Sequence, residues 1–157
     1  MSFRTGIGFD AHRFASDGRP LRLALLTWPD HPGLMGHSDG DVVAHALVDA
    51  VASAGGLGDI GQLFGRAEPR FEGADSRVFL DGVIDQLDQA GYELLNAAVQ
   101  LIGNTPAVAP RRAQAQAALS EAVGAPVSFA ATTTDAMGFT GRGEGLAAVA
   151  TCLVAAR

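Results

Sequence analysis

Gly36-His37-Ser38-Asp39-Gly40-Asp41-Val42-Val43-Ala44-His45 continues into ALVDAVASAGG at residues 46–56, and this stretch decides the fold. Ser38 or Asp39 can cap a helix that runs through about Ala54, because a short polar side chain accepts the free N–H groups of the first turn. Gly55 and Gly56 favour the left-handed backbone conformation that ends a helix. The stretch therefore predicts one helix that carries a histidine among apolar residues.

Strand and helix patterns alternate on both sides of this helix. Upstream, residues 3–9 and 21–26 are predicted to pair as opening strands through the turn-forming segment SDGRP at 16–20. The other predicted elements are helices over 75–91 and 110–124 and strands over 94–102, 127–131 and 146–155. This alternation predicts an α/β or α+β fold in which helices cover one face of a β-sheet.

Composition restricts the class of protein. The chain has 157 residues, 48% of them apolar, and no long Pro/Gly/Ser-rich linker, so a single domain over 1–157 is expected. The formal net charge of −6 disfavours nucleic acid or an anionic membrane as a partner, because both attract basic surfaces. All eleven basic residues are arginine, which excludes Schiff-base and P-loop lysines. The single cysteine, Cys152, and the absence of a signal-peptide pattern or bilayer-length apolar run favour a cytoplasmic setting.

Two segments bring histidines and aspartates to metal-ligand spacing. Asp10 and His12 lie two residues apart on a predicted strand, so their side chains point to the same face. On the predicted helix, Asp41, His45 and Asp49 are spaced four apart and share a face. These residue types suit Zn²⁺, and three protein ligands leave one position for a phosphate oxygen or water. We predict a metal site in which Asp41 or Asp49 orients the ring of His45; unrelated surface polar residues are the alternative.

A second polar segment, ATTTDAMGFTGRGEG at 131–145, combines threonine hydroxyls with glycine-exposed backbone N–H groups. Both kinds of group donate to phosphate oxygens, and Arg142 adds a planar fork of donors. Asp135 can hold a divalent cation. The segment favours a polyphosphate cradle, and a threonine-rich strand end followed by a glycine turn is the alternative.

Five motifs occur in order along nearly the whole chain: GFDAH at 8–12, GHSDGDVVAH at 36–45, LGDIG at 57–61, GADSR at 73–77, and TTTD at 132–135 leading to Gly145. Together they resemble the 2-C-methyl-D-erythritol 2,4-cyclodiphosphate synthase family of the non-mevalonate isoprenoid pathway. The resemblance implies a homotrimeric phosphorus–oxygen lyase with active sites between neighbouring subunits. It also implies that 4-diphosphocytidyl-2-C-methyl-D-erythritol 2-phosphate is cyclised by its own 2-phosphate, with release of CMP.

The same resemblance assigns roles to individual residues. It makes Asp10, His12 and His45 the Zn²⁺ ligands, and it makes His37 and Thr133 the groups that stabilise the transition state. Asp135, an aspartate where the family more often has glutamate, would bind a second cation, Mg²⁺ or Mn²⁺. The implied substrate contacts are Ser38, Asp59, Ile60, Gly61, Phe64, Gly65, Arg66, Ala67, Glu68, Thr132, Thr134, Phe139 and Arg142. The implied cytidine pocket is Gly103, Asn104, Thr105, Pro106, Ala107, Val108 and Ala109.

Three features depart from the common family pattern. Ala107 replaces the lysine of the cytidine pocket, which leaves backbone recognition but removes a cation near the nucleotide. Residues 65–68 read Gly-Arg-Ala-Glu where many members have Pro-Asp-Thr-Asp. Val149 stands where some members place a glutamate at the trimer axis.

Two other functions remain open from the residues. One is a Zn-dependent phosphohydrolase, in which Asp41 or His37 would act as general base for a metal-bound water. The other is a non-catalytic nucleotide-binding module that uses its metal only for stability. The identity of the phosphate products separates the first from a synthase, and the absence of turnover identifies the second.

Overall fold

The computed structural model describes residues 2–157 as six strands and five helices. The strands are β1 (Phe3–Arg13), β2 (Pro20–Leu23), β3 (Leu26–Pro32), β4 (Tyr92–Ile102), β5 (Val127–Thr132) and β6 (Gly145–Ala156). The helices are α1 (Val42–Gly55), α2 (Ile60–Phe64), α3 (Arg77–Gln89), α4 (Arg112–Val123) and α5 (Gly138–Gly141), with single 3-10 turns at Pro69–Phe71 and Ala109–Arg111. Within these residues, none of the helices is both long and apolar enough to cross a membrane.

The main sheet has four strands in the order β1-β6-β4-β5, and a separate hairpin joins β2 to β3. Strand β6 is antiparallel to both of its neighbours, whereas β4 and β5 are parallel. The register pairs His12 with Leu146, and it pairs Ile102 with both Ala147 and Thr132. Strands β1, β4 and β5 therefore run in the same direction, and their carboxyl ends lie at the same end of the sheet.

Helix α1 rests directly on the backbone of β1 because two glycines leave room for it. A Cβ atom at Gly6 would lie 1.9 Å from the carbonyl oxygen of Ala50, and one at Gly8 would lie 2.0 Å from that of Ala46. No larger side chain fits at either position without moving the helix. This close approach sets His45 of α1 above the end of β1.

The helices cover one face of the sheet, and the core lies between them and the strands. Twelve of the fourteen residues of α1 are buried, and α3 contributes Phe79, Leu80, Val83 and Leu87. On the opposite face of β1, Phe3, Ile7 and Phe9 are 54%, 65% and 57% exposed. The predicted architecture, a sheet with helices on one face, is confirmed.

The predicted pairing of the first two strands is wrong. Strand β1 pairs along its whole length with β6, at the far end of the chain, and β2 pairs with β3, a strand that the sequence analysis missed. Alternation and turn residues indicate that a segment is extended, but its partner depends on long-range packing.

The remaining predicted elements lie within a few residues of the observed ones. Helix α1 is capped by Asp41 and not by the predicted Ser38 or Asp39, since the Asp41 side chain accepts the N–H of Ala44. Gly56 ends the helix in the left-handed conformation, as predicted. Pro110 lies in a 3-10 turn that precedes α4 instead of in the first turn of the helix itself.

Candidate active site

Three polar side chains converge where β1 passes beneath α1. Oδ2 of Asp10 lies 2.8 Å from Nε2 of His12 and 3.1 Å from Nδ1 of His45, and the two nitrogens are 3.4 Å apart. The strand places Asp10 and His12 on the same face, as predicted, and the helix delivers His45 from above. The three candidate ligand atoms thus form a compact triangle, which we call the metal triangle.

This triangle has the size that a small divalent cation requires. A tetrahedral ion with bonds of about 2.0–2.2 Å holds its ligand atoms roughly 3.3–3.6 Å apart, so the observed separations need only slight expansion. One carboxylate and two imidazoles are also a donor set typical of catalytic zinc sites. The predicted cluster is therefore a candidate site for a divalent metal.

Neighbouring groups hold both rings with one nitrogen turned to the triangle. Nδ1 of His12 hydrogen-bonds to the carbonyl oxygen of Met35, which can only accept, so Nε2 of His12 is left for a ligand. Nε2 of His45 lies 3.1 Å from Oγ of Ser38 and 3.0 Å from Oγ of Ser76. Two serines, and no carboxylate, therefore contact the outer nitrogen of His45.

The predicted role of Asp41 as the partner of His45 is wrong. Its fully buried carboxylate accepts the backbone N–H groups of Ala24, Leu25 and Ala44 at 3.0, 2.7 and 3.1 Å. Ala24 and Leu25 form the β2–β3 turn with positive φ angles of 54° and 64°, a conformation that these side chains disfavour. Burial raises the pKa of Asp41. Asp41 therefore ties the hairpin to the start of α1 and positions the helix, not the ring.

Asp49, the other predicted partner of His45, serves the neighbouring segment. Its Oδ1 accepts the backbone N–H of Ile60 at 2.8 Å. Burial raises the pKa of the Asp49 carboxyl. The carboxylate lies in the cavity wall near the triangle and anchors the start of α2.

The electrostatics of the triangle favour a negative carboxylate between two imidazoles. Burial alone would raise the pKa of Asp10, but hydrogen bonds and charge from His12 and His45 outweigh burial and hold this pKa well below its usual value. Burial alone would lower the pKa of His12, but the hydrogen bond to Asp10 and its negative charge outweigh burial. The pKa of His12 is therefore raised. The Asp10 side chain is thus prepared to accept a cation.

The triangle lies in the wall of a cavity of about 400 Å³. Apolar side chains from α2, α3 and the turn between them close one side, and polar groups line the other. The lining residues are Asp10, His12, His37, Ser38, His45, Asp49, Asp59, Ile60, Gly61, Phe64, Gly65, Arg66, Phe71 and Phe79. This combination of an apolar wall and a few convergent polar groups is typical of a small-molecule site.

Comparison with known proteins decides the family. The model of the YgbB family matches residues 3–155. The chain belongs to the YgbB family. The 2-C-methyl-D-erythritol 2,4-cyclodiphosphate synthase of Cutibacterium acnes is 52% identical over 155 residues, which cover 98% of this chain and 92% of that protein. The predicted family is thereby confirmed.

Two further YgbB relatives extend the comparison. The bifunctional enzyme IspD/IspF of Clavibacter michiganensis is 55% identical over 151 residues, which cover 96% of this chain but only 37% of that protein. A solved structure of 2C-methyl-D-erythritol-2,4-cyclodiphosphate synthase in its CDP-bound form superposes with a TM-score of 0.87 at 36% identity, covering 97% of this chain and all of that one. The chain thus matches the full length of the solved relative but only about a third of the bifunctional one.

The site residues suggested by the YgbB resemblance separate into two groups in space. The first group surrounds the metal triangle: His37, Ser38, Asp59, Ile60, Gly61, Phe64, Gly65 and Arg66 all line its cavity. Ala67 and Glu68 lie outside the lining, although the carbonyl oxygen of Glu68 is 2.8 Å from Nε2 of His37. We refer to this group as the metal half-site.

The second group lies at the carboxyl ends of β4 and β5. Thr132 and Gly103 are joined by a backbone hydrogen bond, and the side-chain amide of Asn104 donates to the carbonyl oxygen of Gly141 at 2.9 Å. Thr133 donates to Asp135 at 3.3 Å. Residues 103–109 and 132–142 thus gather at this end of the sheet, and we call them the nucleotide half-site after the role that the resemblance implies.

The two half-sites of this YgbB chain meet only partly within one subunit. His12 and Phe139 line one pocket together, so the two half-sites adjoin where β1 ends. The outermost strands β1 and β5 are nevertheless three strand spacings apart, which amounts to about 14 Å. None of the residues in 103–109 or 132–142 lines the metal cavity.

Sequence analysis missed Ser76, Phe71 and Phe79. The sequence places Ser76 only at the start of the helix predicted over 75–91, although Ser76 also belongs to the GADSR motif at 73–77. In the structure its hydroxyl contacts His45, and the two phenylalanines form the apolar wall of the cavity. No local pattern relates these residues to His45, because the packing of α3 against α1 brings them together.

Proposed function

We propose that this chain cyclises 4-diphosphocytidyl-2-C-methyl-D-erythritol 2-phosphate to 2-C-methyl-D-erythritol 2,4-cyclodiphosphate, with release of CMP, in isoprenoid precursor synthesis. Membership of the YgbB family and the named relatives support this activity. The observation that carries it is the convergence of Asp10, His12 and His45 in the wall of a cavity sized for a small molecule. Residues 1–157 would act as one catalytic domain in the cytoplasm.

The metal half-site would hold Zn²⁺ through Asp10, His12 and His45. A zinc ion bound there supplies Lewis-acid stabilisation of negative charge on a phosphate oxygen. Support comes from the donor set and from ligand-atom separations of 2.8–3.4 Å. Arg66, in the wall of the same cavity, would add a guanidinium for phosphate charge, and Ser38 would donate a hydroxyl hydrogen.

The proposed reaction needs no nucleophile from the protein. An oxygen of the 2-phosphate attacks the β-phosphorus, the bond from this phosphorus to the bridging oxygen breaks, and the electron pair leaves with CMP. The chain therefore has to hold two phosphates in line and balance their charge, which is the general requirement of phosphoryl transfer. We assign stabilisation of the reacting phosphates to His37 and Thr133.

The nucleotide half-site would bind the cytidine and the diphosphate. Loop 103–109 offers backbone groups to the base, and Thr132, Thr134, Phe139 and Arg142 offer contacts to the nucleotide. Asp135 would hold the second cation, Mg²⁺ or Mn²⁺, since its carboxylate is exposed beside the threonine hydroxyls. The solved relative in its CDP-bound form supports binding of a cytidine nucleotide by a protein of this fold.

We infer that the complete active site forms between subunits of a homotrimer. A substrate with both a cyclising phosphate and a cytidine must reach both half-sites, and no residue of 103–109 or 132–142 lines the metal cavity of the same subunit. A neighbouring subunit can supply the missing half. Phe3, Ile7 and Phe9 offer an apolar surface for such contact on the open face of β1.

Analysis of products tests the proposed function. Incubation with the cytidyl substrate, Zn²⁺ and Mg²⁺ is expected to give CMP and a cyclic diphosphate in equal amounts, resolved by ³¹P NMR and chromatography. Linear products containing an added water would instead identify a phosphohydrolase. Tight binding of CDP without turnover would identify a nucleotide-binding module.

A further inference from the structure

Ser76 connects a metal-ligand histidine to a carboxylate that does not touch the metal triangle. Its Oγ lies 3.0 Å from Nε2 of His45 and 2.5 Å from Oδ1 of Asp39. The Ser76 side chain is fully buried. The three residues come from separate segments, since Asp39 precedes α1, His45 lies within α1, and Ser76 immediately precedes α3.

The surroundings of Asp39 fix the direction of these hydrogen bonds. Oδ1 of Asp39 accepts the N–H of Asp41 at 3.0 Å, and Oδ2 accepts the N–H of Ser76 at 2.8 Å. The guanidinium of Arg22 lies 3.9 Å from Oδ2. Donors on both oxygens keep the carboxylate as an acceptor, so the hydroxyl hydrogen of Ser76 must point to Oδ1.

This direction determines which nitrogen of His45 carries a hydrogen. Because the Ser76 hydroxyl gives its hydrogen to Asp39, it offers only lone pairs to Nε2 of His45. Nε2 therefore bears a hydrogen, and Nδ1 is the nitrogen left to offer a lone pair to a cation. Nδ1 is the atom that faces Asp10 and His12 at 3.1 and 3.4 Å.

We propose that Ser76, oriented by Asp39, is a positioning residue that holds His45 with its Nδ1 lone pair directed at the divalent cation. The inference rests on cation binding by the metal half-site, as proposed above. Partners of this kind, which contact a ligand residue and not the ion, commonly change metal affinity about 10- to 100-fold when removed.

Ser38 provides a matched control at the same nitrogen. Its Oγ lies 3.1 Å from Nε2 of His45, almost the same distance as that of Ser76. Among the hydrogen bonds of residues 2–157, however, no carboxylate accepts from the Ser38 hydroxyl. Ser38 can therefore rotate its hydrogen and does not impose a direction on His45.

Zinc affinity measured by competition with a chelator tests the proposal on the full chain. We expect Ser76→Ala to bind Zn²⁺ about 10- to 100-fold more weakly than the wild type, and Ser38→Ala to show a much smaller change. Far-UV circular dichroism establishes that both variants are folded. Equal losses in the two variants, or wild-type affinity in folded Ser76→Ala, would overturn the proposal.

¹⁵N NMR of the histidine side chains adds a readout that does not depend on any variant. In the wild type with Zn²⁺, Nε2 of His45 is expected to be the protonated nitrogen, with a hydrogen that exchanges slowly with water. Without Zn²⁺, Nε2 is expected to keep this hydrogen while Nδ1 donates to Asp10. Ser76→Ala should lose this slow exchange, and Ser38→Ala should keep it. A wild-type ring with hydrogen on Nδ1 alone sinks the proposal even if Ser76→Ala fails to fold.

These results are separable from the proposed function. If the wild type binds Zn²⁺ and the two variants differ as expected, but no cyclic product forms, the role of Ser76 stands and the reaction assignment fails. If the wild type does not bind Zn²⁺, the role proposed for Ser76 is wrong.

Discussion

Oδ2 of Asp10 lies 3.1 Å from Nδ1 of His45, although 35 positions separate the two residues along the chain. The contact exists because α1 lies against the glycine backbone of β1, where Gly6 and Gly8 leave no side chain in the way. The candidate metal site therefore depends as much on two glycines as on its ligand residues. Both contributions can be tested separately.

Removing a ligand should abolish zinc binding without unfolding the chain. We expect His12→Ala to lose bound zinc and cyclase activity, because two remaining ligands hold the ion far less tightly than three. The His12 side chain is 20% exposed and lies outside the hydrophobic core, so its truncation leaves the core intact. Elemental analysis after dialysis measures the zinc, and circular dichroism measures the fold.

His31→Ala is the control for this variant, since His31 lies on β3 outside the metal cavity. It should retain wild-type zinc content. Full zinc occupancy in His12→Ala would contradict the assignment of the ligands.

Adding one methyl group beneath α1 should destabilise the fold. In Gly8→Ala, the new Cβ would lie 2.0 Å from the carbonyl oxygen of Ala46 and 2.6 Å from the backbone nitrogen of Ala50. Such overpacking costs about 1–3 kcal/mol or more, because α1 must move away from the strand. Urea denaturation measures the loss, and zinc affinity should fall with it as His45 shifts.

Gly18→Ala is the comparison for Gly8→Ala. Nothing lies within 4 Å of a Cβ at Gly18, although its φ of +79° imposes a backbone cost. We expect Gly18→Ala to lose only about 1–2 kcal/mol and to keep its zinc affinity. A smaller loss in Gly8→Ala than in Gly18→Ala would mean that the α1–β1 approach is not tight.

Cys152 should give the unfolding free energy a characteristic alkaline pH dependence. Its thiol donates to the carbonyl oxygen of Ala50, and burial raises its pKa from 9.0 to about 11. Below pH 9 the thiol is protonated in both states. Between pH 9 and pH 11 the unfolded chain releases the proton while the folded chain keeps it, so this contribution to stability is lost as pH rises.

Denaturation of the wild type and of Cys152→Ala across this range isolates the effect. The wild type should lose more stability than the variant between the two pH limits. Alkylation by iodoacetamide near neutral pH should also be slow in the folded protein, because the thiolate is scarce and enclosed. Rapid alkylation of Cys152 in the native protein at neutral pH would contradict a protonated and buried thiol.

The open face of β1 should mediate assembly. Ile7→Asp places a charge where the side chain is 65% exposed in the single subunit and, in the proposed trimer, would be buried. An unpaired charge in an apolar interface is costly, so we expect the variant to be monomeric and inactive but folded. Light scattering gives the mass, which for the wild type should be three times that of one chain.

Val78→Asp is the matched control, since Val78 is 47% exposed on α3, on the helix-covered side of the sheet. It should leave the mass unchanged. Loss of assembly in both variants, or in neither, would show that the contact surface lies elsewhere.

Much of the secondary structure could be predicted because it depends on local spacing. The four-residue interval between His45 and Asp49 gives a helix face, and the two-residue interval between Asp10 and His12 gives a strand face. The partner of β1 could not be predicted in this way. Its pairing with β6 joins the two ends of the chain, and no turn signal records such a contact.

The roles of individual carboxylates likewise depend on tertiary contacts that sequence spacing does not record. The sequence indicated that Asp41 and Asp49 share a helix face with His45, and the structure has them accept backbone N–H groups of other segments instead. The ring of His45 contacts Ser76, which lies 31 residues away, and Ser76 in turn contacts Asp39. Helical spacing specifies the direction in which a side chain points, but its hydrogen-bond partner depends on which element packs against that face of the helix.

The sequence by itself determined the family, the order of the main helices and strands, and the residues that form the metal triangle. These depend on residue type and on spacing within single elements, which the linear chain records. Only the tertiary structure decided that Ser76 contacts His45, and that residues 103–109 and 132–142 stay outside the lining of the metal cavity. Such relationships depend on packing between distant segments, where the close approach of backbones and the burial of side chains select the neighbours.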